Sequence, residues 1–248
     1  MKISIITAVY NSEHTIACAI DSVAAQRNVD LEHIVIEGAS TDRSLDAINR
    51  ARHQNMHVFS EPDSGIYDAL NKGISKASGD IIGIVHSDDF LAHDLVLNRV
   101  AAAFSDPTIE AAYGDLDYVS KDDIGRIIRR WIAGEYSKRR LARGWMPPHP
   151  TLFLRRAVFD RIGNYDTGFR IAADYDFVLR YFSKVSANPV YIPEVLVKMR
   201  LGGESNRNAL KVLRKSYEDY IALRNNDVGG LWALAAKNVS KIPQFIFR

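Results

Sequence analysis

Two adjacent carboxylates, Asp88 and Asp89, follow the apolar run 80–85 after a short His86-Ser87 step. Neighbouring carboxylates repel each other unless a cation neutralises them. Hard oxygen ligands suit Mg²⁺ or Mn²⁺, which bind through one or two carboxylates together with substrate phosphates. The alternative is a solvated turn in which one aspartate caps the next helix, and this is the commoner role of such a pair. The position of the pair in the fold decides between the two.

Polar clusters follow two further apolar runs. Tyr10-Asn11 ends the run 2–10, and residues 37–42 follow the run 33–36. Taken alone, each has an ordinary explanation, as a turn that caps a helix or as an aromatic side chain that packs. Their common position at the end of an apolar run favours a binding site.

The elements that would position these clusters alternate between strand and helix. Apolar, β-branched runs predict strands at residues 2–10, 33–36, 56–59 and 80–85. Between the first two strands, Ser12 is predicted to cap a helix that places Ile16, Ile20 and Val23 on one face. A second helix is expected after the turn at residues 37–42, and a third over residues 65–78 is expected to stop at Gly79. Residues 87–89 are expected to precede a further helix.

Strands that alternate with helices form βαβ units and a mostly parallel sheet. Ligands bind at the carboxyl ends of such strands, where all three polar clusters are predicted to meet. Beyond residue 109 the pattern is looser. Strand-like pieces occur at residues 111–113, 126–131, 151–154, 190–192 and 195–199, and helical segments at 174–183, 206–224 and 231–241.

The composition is that of a globular protein. The 248 residues include 32 basic and 30 acidic side chains, 47% are hydrophobic and 25% are charged. The net charge of +2 argues against non-specific nucleic-acid binding. The single cysteine, Cys18, excludes an intramolecular disulfide and a cysteine-cluster zinc site. No run approaches the roughly 20 apolar residues of a membrane span, and the first apolar run is too short for a signal peptide, so a cytoplasmic protein is expected.

Five sequence pieces, taken in order, resemble one known family. They are Ala8-Val9-Tyr10-Asn11, residues 34–42 (IVIEGASTD), residues 60–73 (SEPDSGIYDALNKG), Ser87-Asp88-Asp89 and residues 171–177 (IAADYDF). Together they resemble the family 2 glycosyltransferases of GT-A fold, and in particular the bacterial exopolysaccharide branch that includes colanic-acid and O-antigen sugar transferases. The resemblance covers roughly residues 1–205, and residues 60–73 are its most specific piece.

The resemblance implies an α/β fold. It consists of a GT-A (Rossmann-like), mostly parallel central sheet with helices on both faces, a mixed acceptor-side region and C-terminal helices. Residues 1–115 would form the nucleotide-sugar-binding half, residues 116–205 the acceptor-binding half of the same domain, and residues 206–248 a helical tail.

The resemblance also implies roles on the donor side. Ala8 and Tyr10 would flank the nucleotide base. Glu37, where the family usually has aspartate, would accept a hydrogen bond from the imide N–H of the base. Asp63 would frame the ribose and the phosphates, and Lys72 would be a cation beside the phosphates.

Three carboxylates would carry the chemistry by the same resemblance. Asp89 would bind a divalent metal ion, Mn²⁺ or Mg²⁺, with Asp88 as a ribose or metal-water partner. Asp174 would be the general base, with Asp176 as a rival. His149 is expected either to contact a sugar or to be a loop histidine held by prolines, and Arg200 either to close over the diphosphate or to lie in a simple turn.

The implied activity is metal-dependent, inverting transfer of a sugar, expected from a UDP-sugar, to a saccharide acceptor. The acceptor is expected to be lipid-linked, in exopolysaccharide or lipopolysaccharide biosynthesis for the cell envelope. Two alternatives remain open: a non-catalytic nucleotide- or sugar-binding module, and, less favoured, a nucleotidyltransferase. The latter should carry a Gly-rich basic loop near the N-terminus, which residues 9–12 do not provide.

Two segments suggest peripheral contact with the inner face of the cytoplasmic membrane. The basic run at Arg126, Arg129, Arg130 and residues 138–140, with Trp131 and Trp145 nearby, could approach an anionic bilayer, although such a run is normally a solvated face. In the tail, residues 231–236 are expected to pack on protein. Residues 242–248 combine apolar and cationic groups that suit the membrane interface.

Overall fold

The computed structural model of the chain describes residues 1–184, 189–201, 209–230 and 233–234. Nine strands lie in these ranges: β1 (Lys2–Val9), β2 (Asp30–Glu37), β3 (Met56–Ser60), β4 (Ile81–Ile84), β5 (Asp89–Leu91), β6 (Ala111–Val119), β7 (Ile127–Trp131), β8 (Phe153–Arg155) and β9 (Val190–Arg200). The helices described there are α1 (Ile16–Ala24), α2 (Ser44–Arg50), α3 (Ile66–Lys76), α4 (Val96–Ala103), α5 (Lys138–Leu141), α6 (Arg156–Ile162), α7 (Ala173–Lys184) and α8 (Ala209–Asn225), with a 3₁₀ turn at His149–Thr151.

One mixed sheet contains all nine strands. Its order is β3-β2-β1-β4-β8-β6-β9-β5, and β7 pairs with β6 outside this path. The pairs β1–β2, β1–β4, β2–β3 and β6–β9 are parallel, whereas β4–β8, β6–β8, β5–β9 and β6–β7 are antiparallel. The predicted α/β class is therefore confirmed, with the parallel part formed by the first four strands. The predicted boundary between residues 115 and 116 falls inside β6.

Helices cover both faces of the parallel part, which explains why β1 and β2 are nearly continuous apolar runs. On one face, Ile3, Ile5 and Val9 of β1 share a buried core with residues of α1, α2 and α4. On the other face, Ile6 and Ala8 share a core with residues of α3, α6 and α7. Successive side chains of a strand point to opposite faces, so this alternation fixes the register of β1.

Helix α3 lies unusually close to the sheet. It buries Ala69, Leu70, Gly73 and Ile74. A Cβ atom at Gly73 would lie 2.4 Å from Cγ2 of Ile6 on β1, closer than two carbon atoms can approach. The missing side chain at this position therefore sets the distance between α3 and β1.

The four predicted strands of the first half are present, and Ile16, Ile20 and Val23 are buried on one face of α1. Two local predictions were wrong. The Ser12 side chain does not cap α1: its carbonyl oxygen accepts from the N–H groups of Thr15 and Ile16, and Thr15 occupies the cap position. Helix α3 ends at Lys76, because Ala77 is extended and the N–H of Gly79 donates to Ser4 Oγ.

The helix expected after residues 87–89 is present, but a short strand that was not predicted comes before it. Residues 89–91 form β5 and pair antiparallel with β9, and the helix α4 begins only at Val96. The strand-like pieces at 190–192 and 195–199 are one strand, β9, whose register against β6 shifts between Gly114 and Leu116. None of the helices in the described part of the chain has the length and apolar content of a membrane span. Residues 235–248, with the predicted membrane-interface segment, lie outside the described residues.

A buried histidine joins β1, β2 and the segment before β3. His33 is inaccessible to solvent, its Nε2 lies 3.0 Å from Thr7 Oγ1, and its Nδ1 lies 3.2 Å from Nε2 of His53. Burial, together with neighbouring His53, lowers the pKa of His33 to about 3. The ring is therefore neutral at any pH near neutrality.

We expect His33 to make stability pH-dependent. In the unfolded chain a histidine has a pKa of about 6.5. Below that value His33 binds a proton in the unfolded state but stays neutral in the folded state. The free energy of unfolding therefore decreases as the pH falls from 6.5 towards 3. Each such proton costs about 1.4 kcal/mol per pH unit. The free energy of unfolding of the wild type should therefore fall more steeply between pH 6.5 and 5 than that of His33→Asn, by this amount.

The measurement is urea unfolding across that pH range. His14→Asn is the matched control, because the His14 side chain is 89% exposed. It should leave the wild-type slope unchanged. If the free energy of unfolding changed with pH equally in the wild type and in His33→Asn, His33 would not be the group that makes stability pH-dependent.

Candidate active site

The carboxyl ends of β1, β2 and β4 bring the three polar clusters together. The N–H of Gly38 donates to the carbonyl of Val9 at 2.9 Å, and Asn11 Oδ1 accepts from the N–H of Thr41 at 2.9 Å. Ser12 Oγ and Ser87 Oγ lie 2.9 Å apart, which joins the end of β1 to the segment after β4. These bonds make a continuous polar edge.

The end of β1 offers an open surface for a planar ring. Ala8 is 7% exposed, whereas Tyr10 is 60% exposed. An aromatic side chain this exposed has a free face on which a base can stack. The predicted base-flanking roles of Ala8 and Tyr10 fit this placement.

Glu37, by contrast, is enclosed. It is 1% exposed, and its two oxygens accept from the Ser40 N–H and the Ser60 hydroxyl, both at 2.6 Å. Burial alone would raise the pKa of Glu37, but the hydrogen bonds from Ser40, Ser60 and Ala39 lower it, so the group is a carboxylate. It fixes the 37–42 turn from inside, and its predicted contact with the base stays a prediction.

Asp63 lies beside Gly38, at the edge of the sheet where Glu37 was expected to meet the base. Its Oδ2 would lie 2.2 Å from a Cβ atom at residue 38, so it fits only because Gly38 has none. Asp63 Oδ1 accepts from the N–H of Gly65 at 2.8 Å, and the residue is partly exposed. A carboxylate therefore does lie over the ends of β1 and β2, but it is supplied by the segment between β3 and α3.

Lys72 is engaged within its own segment. Its Nζ donates to the carbonyl of Pro62 at 2.7 Å and lies 3.5 Å from Asp68 and 3.8 Å from Glu61. These contacts hold the turn that carries Asp63. Lys72 therefore supports that turn, and its role as a cation beside the phosphates stays a prediction.

The two adjacent carboxylates have opposite environments. Asp89 is completely buried at the start of β5, and neither of its carboxylate oxygens has a hydrogen-bond partner among the described residues. Burial and the charge of Asp88 raise the pKa of Asp89, although Arg200 opposes this. Asp88 is partly exposed at the edge, and its carbonyl accepts from Arg200 Nη1 at 2.6 Å. Arg200 thus supports the segment that carries the acidic pair.

The two candidate bases on α7 also differ. Asp174 is partly exposed in the first turn, and its Oδ1 accepts from the N–H of Tyr175 at 2.8 Å. Asp176 is 4% exposed and is bonded to Arg180 Nε at 2.8 Å and to Asn226 Nδ2 at 2.9 Å. Both oxygens of Asp176 are therefore committed to packing, which leaves Asp174 as the carboxylate able to meet a substrate.

Two histidines connect Asp88 with Asp174. The rings of His86 and His149 lie 5.8 Å apart, and His149 Nε2 is 2.9 Å from the hydroxyl of Tyr165. Burial lowers the pKa of His86, and the charges of Asp88 and Asp174 oppose that effect. Burial also lowers the pKa of His149 to about 4, again opposed by Asp174. Both imidazoles are therefore neutral hydrogen-bonding groups between the two carboxylates.

Sequence reasoning missed His86, Tyr67 and Asn71. His86 directly precedes the acidic pair, and that position was the available signal. Tyr67 and Asn71 lie one helical turn apart in the piece of sequence most specific to the family. Their partners lie about a hundred residues further on, so no local pattern could have shown their role.

Helix α3 fixes the segment that carries Asp174. The hydroxyl of Tyr67 donates to the carbonyl of Ile171 at 2.7 Å and lies 3.4 Å from Asp174 Oδ1. Asn71 both donates to the carbonyl of Tyr165, at 2.8 Å, and accepts from its N–H, at 3.0 Å. One face of α3 therefore holds the chain before α7 at two points.

A metal ion would fit this edge as a shared ligand. Three or more His, Cys, Asp or Glu side chains do not converge into a metal-binding group within the described ranges. Mg²⁺ and Mn²⁺ are nevertheless commonly held by one or two protein groups and completed by phosphates and water. Asp88 is a partly exposed oxygen donor, and the buried His86 Nδ1 and both Asp89 carboxylate oxygens lack a partner among the described residues. This donor set suits Mn²⁺ or Mg²⁺ bound together with a diphosphate.

The fold places the chain in the GT-A class of glycosyltransferases. It superposes on Staphylococcus aureus TarS 1–349 in complex with UDP-GlcNAc with a TM-score of 0.70 and 20% identity, covering 99% of this chain and 79% of TarS. It superposes on the mannosyltransferase PcManGT from Pyrobaculum calidifontis, in complex with GDP-Man and Mn²⁺, with a TM-score of 0.64 and 17% identity, covering 99% and 75%.

The sequence defines the family within that class. The model described as Glycosyl transferase family 2 matches residues 4–172. A PGL/p-HBAD biosynthesis glycosyltransferase from Mycobacterium bovis (strain BCG / Pasteur) is 31% identical over 208 residues, which cover 82% of this chain and 78% of the relative. The chain belongs to glycosyl transferase family 2, as the five sequence pieces predicted, and is a glycosyltransferase.

We expect Tyr67→Phe to loosen the segment before α7. The substitution leaves the ring packed but removes the donor to the Ile171 carbonyl, and an unpaired buried carbonyl costs about 1–3 kcal/mol of stability. The rate of sugar transfer should fall while the KM for the donor stays unchanged. Urea unfolding and steady-state kinetics measure the two effects. Tyr217→Phe is the control, because Tyr217 is 65% exposed. Identical results for both variants would contradict the role of Tyr67.

Proposed function

We propose that the protein is an inverting glycosyltransferase that moves a sugar from a UDP-sugar to a lipid-linked saccharide in cell-envelope polysaccharide biosynthesis. One observation carries the proposal. Two partly exposed carboxylates, Asp88 on the donor side and Asp174 at the start of α7, influence the same partly buried histidine, His86. Three other acidic groups, Glu37, Asp89 and Asp176, are buried, and we infer that they take no direct part in the reaction.

The donor side is assigned by exposure. The exposed ring of Tyr10 is the surface on which the base would stack. Asp63, beside Gly38, would accept a hydrogen bond from the imide N–H of uracil. We propose this role for Asp63 in place of Glu37, because Glu37 is sealed beneath the turn while Asp63 lies over it. TarS, which shares the fold, was solved with UDP-GlcNAc, and this supports uridine as the first nucleotide to test.

The metal role is likewise reassigned within the acidic pair. We propose that Asp88, with His86 beside it, holds the divalent cation, and that Asp89 maintains the packing of β5 against β9. When bound, the cation would supply positive charge to the departing diphosphate. PcManGT, of the same fold, was solved with Mn²⁺ and GDP-Man, which supports Mn²⁺ as the first ion to test.

Asp174 is proposed as the general base. A sugar hydroxyl is a poor nucleophile until a carboxylate accepts its proton during attack. Asp174 is held by the N–H of Tyr175 and lies beside the Tyr67 hydroxyl, so one oxygen is fixed in orientation. His149, bonded to Tyr165, borders the same space and is proposed to orient a substrate hydroxyl. A single base with in-line attack gives inversion at the anomeric carbon.

The acceptor and location follow from the family and a named relative. The Mycobacterium bovis relative is named for PGL/p-HBAD biosynthesis, which supports a role in making an envelope glycoconjugate. A lipid-linked saccharide at the inner face of the cytoplasmic membrane is the acceptor proposed for this chain.

We expect the two members of the acidic pair to separate in a binding experiment. UDP with Mn²⁺ should raise the melting temperature of the wild type by mass action, and GDP should do so less. Asp88→Asn should lose the Mn²⁺-dependent part of this shift. Asp89→Asn should retain it, because an amide of the same shape replaces a buried, unpartnered carboxyl. The reverse pattern would return the metal to Asp89, and a larger shift with GDP would contradict uridine recognition.

The test of the reaction itself is Asp174→Asn. We expect it to keep the UDP and Mn²⁺ thermal shift but to lose about 10²–10⁴ in transfer rate, the range for a positioned base. Asp160→Asn, a change at an exposed carboxylate on α6, is the control and should behave as wild type. NMR of the product should show an inverted anomeric configuration. A retained configuration, or full activity of Asp174→Asn, would overturn the mechanism.

A further inference from the structure

The positive charge of the chain is concentrated in one surface segment. Residues 124–143 hold seven basic side chains and one acidic side chain, a net charge of +6. The other 228 residues hold 25 basic and 29 acidic side chains, a net charge of −4. A protein that is almost neutral overall therefore presents one strongly cationic surface, which begins after the turn residues Asp122 and Asp123. We refer to residues 124–143 as the cationic segment.

Exposed apolar side chains are concentrated in the same place. Ile124, Ile127 and Ile132 are 43%, 45% and 65% exposed, and they are three of the eight large apolar side chains that are exposed in the described part of the chain. Two of them lie on or beside β7, which, among the residues that the structure describes, pairs with β6 alone and so has an open edge there. Isoleucines on an open strand edge usually mark a contact surface.

Internal bonds hold β7 and α5 together as one rigid surface. Arg130 binds Asp117 through two bonds of 2.8 and 3.0 Å, and the N–H of Ala133 donates to Asp115 at 2.9 Å. Arg140 of α5 donates to the carbonyls of Ala133 and Glu135. The exposed Ile132 therefore lies directly beside α5.

Other cations of the cationic segment extend from this rigid base into solvent. Arg126 lies before β7, Lys138 and Arg139 lie on α5, and Arg143 follows α5; all four are exposed. Exposed cationic groups and exposed isoleucines are thus combined in one stretch of chain whose backbone is held by hydrogen bonds. Such a surface binds without the cost of ordering a loop.

We propose that the cationic segment is a docking surface for an anionic lipid bilayer. A bilayer interface takes both kinds of side chain at once, because isoleucines enter the boundary of the acyl chains while lysine and arginine contact anionic headgroups. Nucleic acid would satisfy the cations but leave the isoleucines in water. The purpose of the contact, bringing the site to a lipid-linked acceptor, rests on the proposed function; the binding itself does not.

The experiment is co-sedimentation of the full chain with phosphatidylcholine vesicles, with and without phosphatidylglycerol. Binding is expected only with the anionic lipid, and it should weaken as salt is added because surface charges are screened. Arg139→Gln/Arg143→Gln and Ile127→Ser/Ile132→Ser should each lower the partition coefficient at least tenfold. Arg50→Gln/Arg52→Gln removes the same charge from and beside α2, where both side chains are exposed, and should change it little.

The outcomes distinguish this proposal from failure of the proposed function. The UDP and Mn²⁺ thermal shift, and transfer to a water-soluble acceptor, should be the same in all these variants. Negligible binding of the wild type to vesicles would overturn the proposal. Binding that both variants of the cationic segment retain would also overturn it, and would assign the contact to another part of the chain. A serine variant that changes oligomeric state by light scattering while vesicle binding persists would identify the surface as a contact between copies. Tighter binding of an oligonucleotide than of anionic vesicles would also overturn it.

Discussion

The hydrogen bonds between α3 and the segment before α7 are the constraint on which the site depends. The acidic pair follows β4 in the parallel part of the sheet, whereas Asp174 comes from a helix almost ninety residues later. Nothing in the sheet itself fixes the distance between them. Tyr67 and Asn71 do so, because they hold the 165–171 segment against a helix that is packed on β1.

Burial then divides the acidic residues into two groups. Asp89 and Asp176 are each next to, or two positions from, a carboxylate proposed to act, yet both are inside the protein. Asp176 is paired with Arg180 and accepts a hydrogen bond from Asn226, and Asp89 has a raised pKa. The buried carboxylates thus contribute to packing, and the carboxylates proposed to react are the partly exposed ones at the edge of the sheet.

Much of the fold followed from local sequence patterns. Alternating β-branched runs and the spacing of Ile16, Ile20 and Val23 placed the elements of the first half, because burial on both faces of a parallel sheet demands continuous apolar strands. The second half was less predictable. The pairing of β5 with β9 depends on residues about a hundred positions apart, so Asp89 was expected before a helix rather than on a strand.

The site was predictable to a similar depth. The positions of Asp88, Asp63 and Asp174 at the edge could be expected from strand ends and from resemblance. Which of Asp88 and Asp89 faces solvent could not, because a shift of one residue along a strand reverses the side chain. Which of Asp174 and Asp176 does so depends on Arg180 and on the distant Asn226, which bind Asp176. The engagement of Glu37 by Ser40 and Ser60 shows the same limit, since hydroxyl partners carry no periodic signal.

Gly73 connects these observations. It is where α3 rests on Ile6, and the first turn of the same helix carries Tyr67, which holds the segment before Asp174. A methyl group at residue 73 would collide with Ile6 and push α3 away from the sheet. The segment that carries Asp174 would move with the helix, so the distance between Asp88 and Asp174 would increase without any change to either carboxylate. A substitution at this buried glycine would therefore lower activity as a substitution in the active site would. The missing side chain of Gly73 thus sets the distance between the two carboxylates.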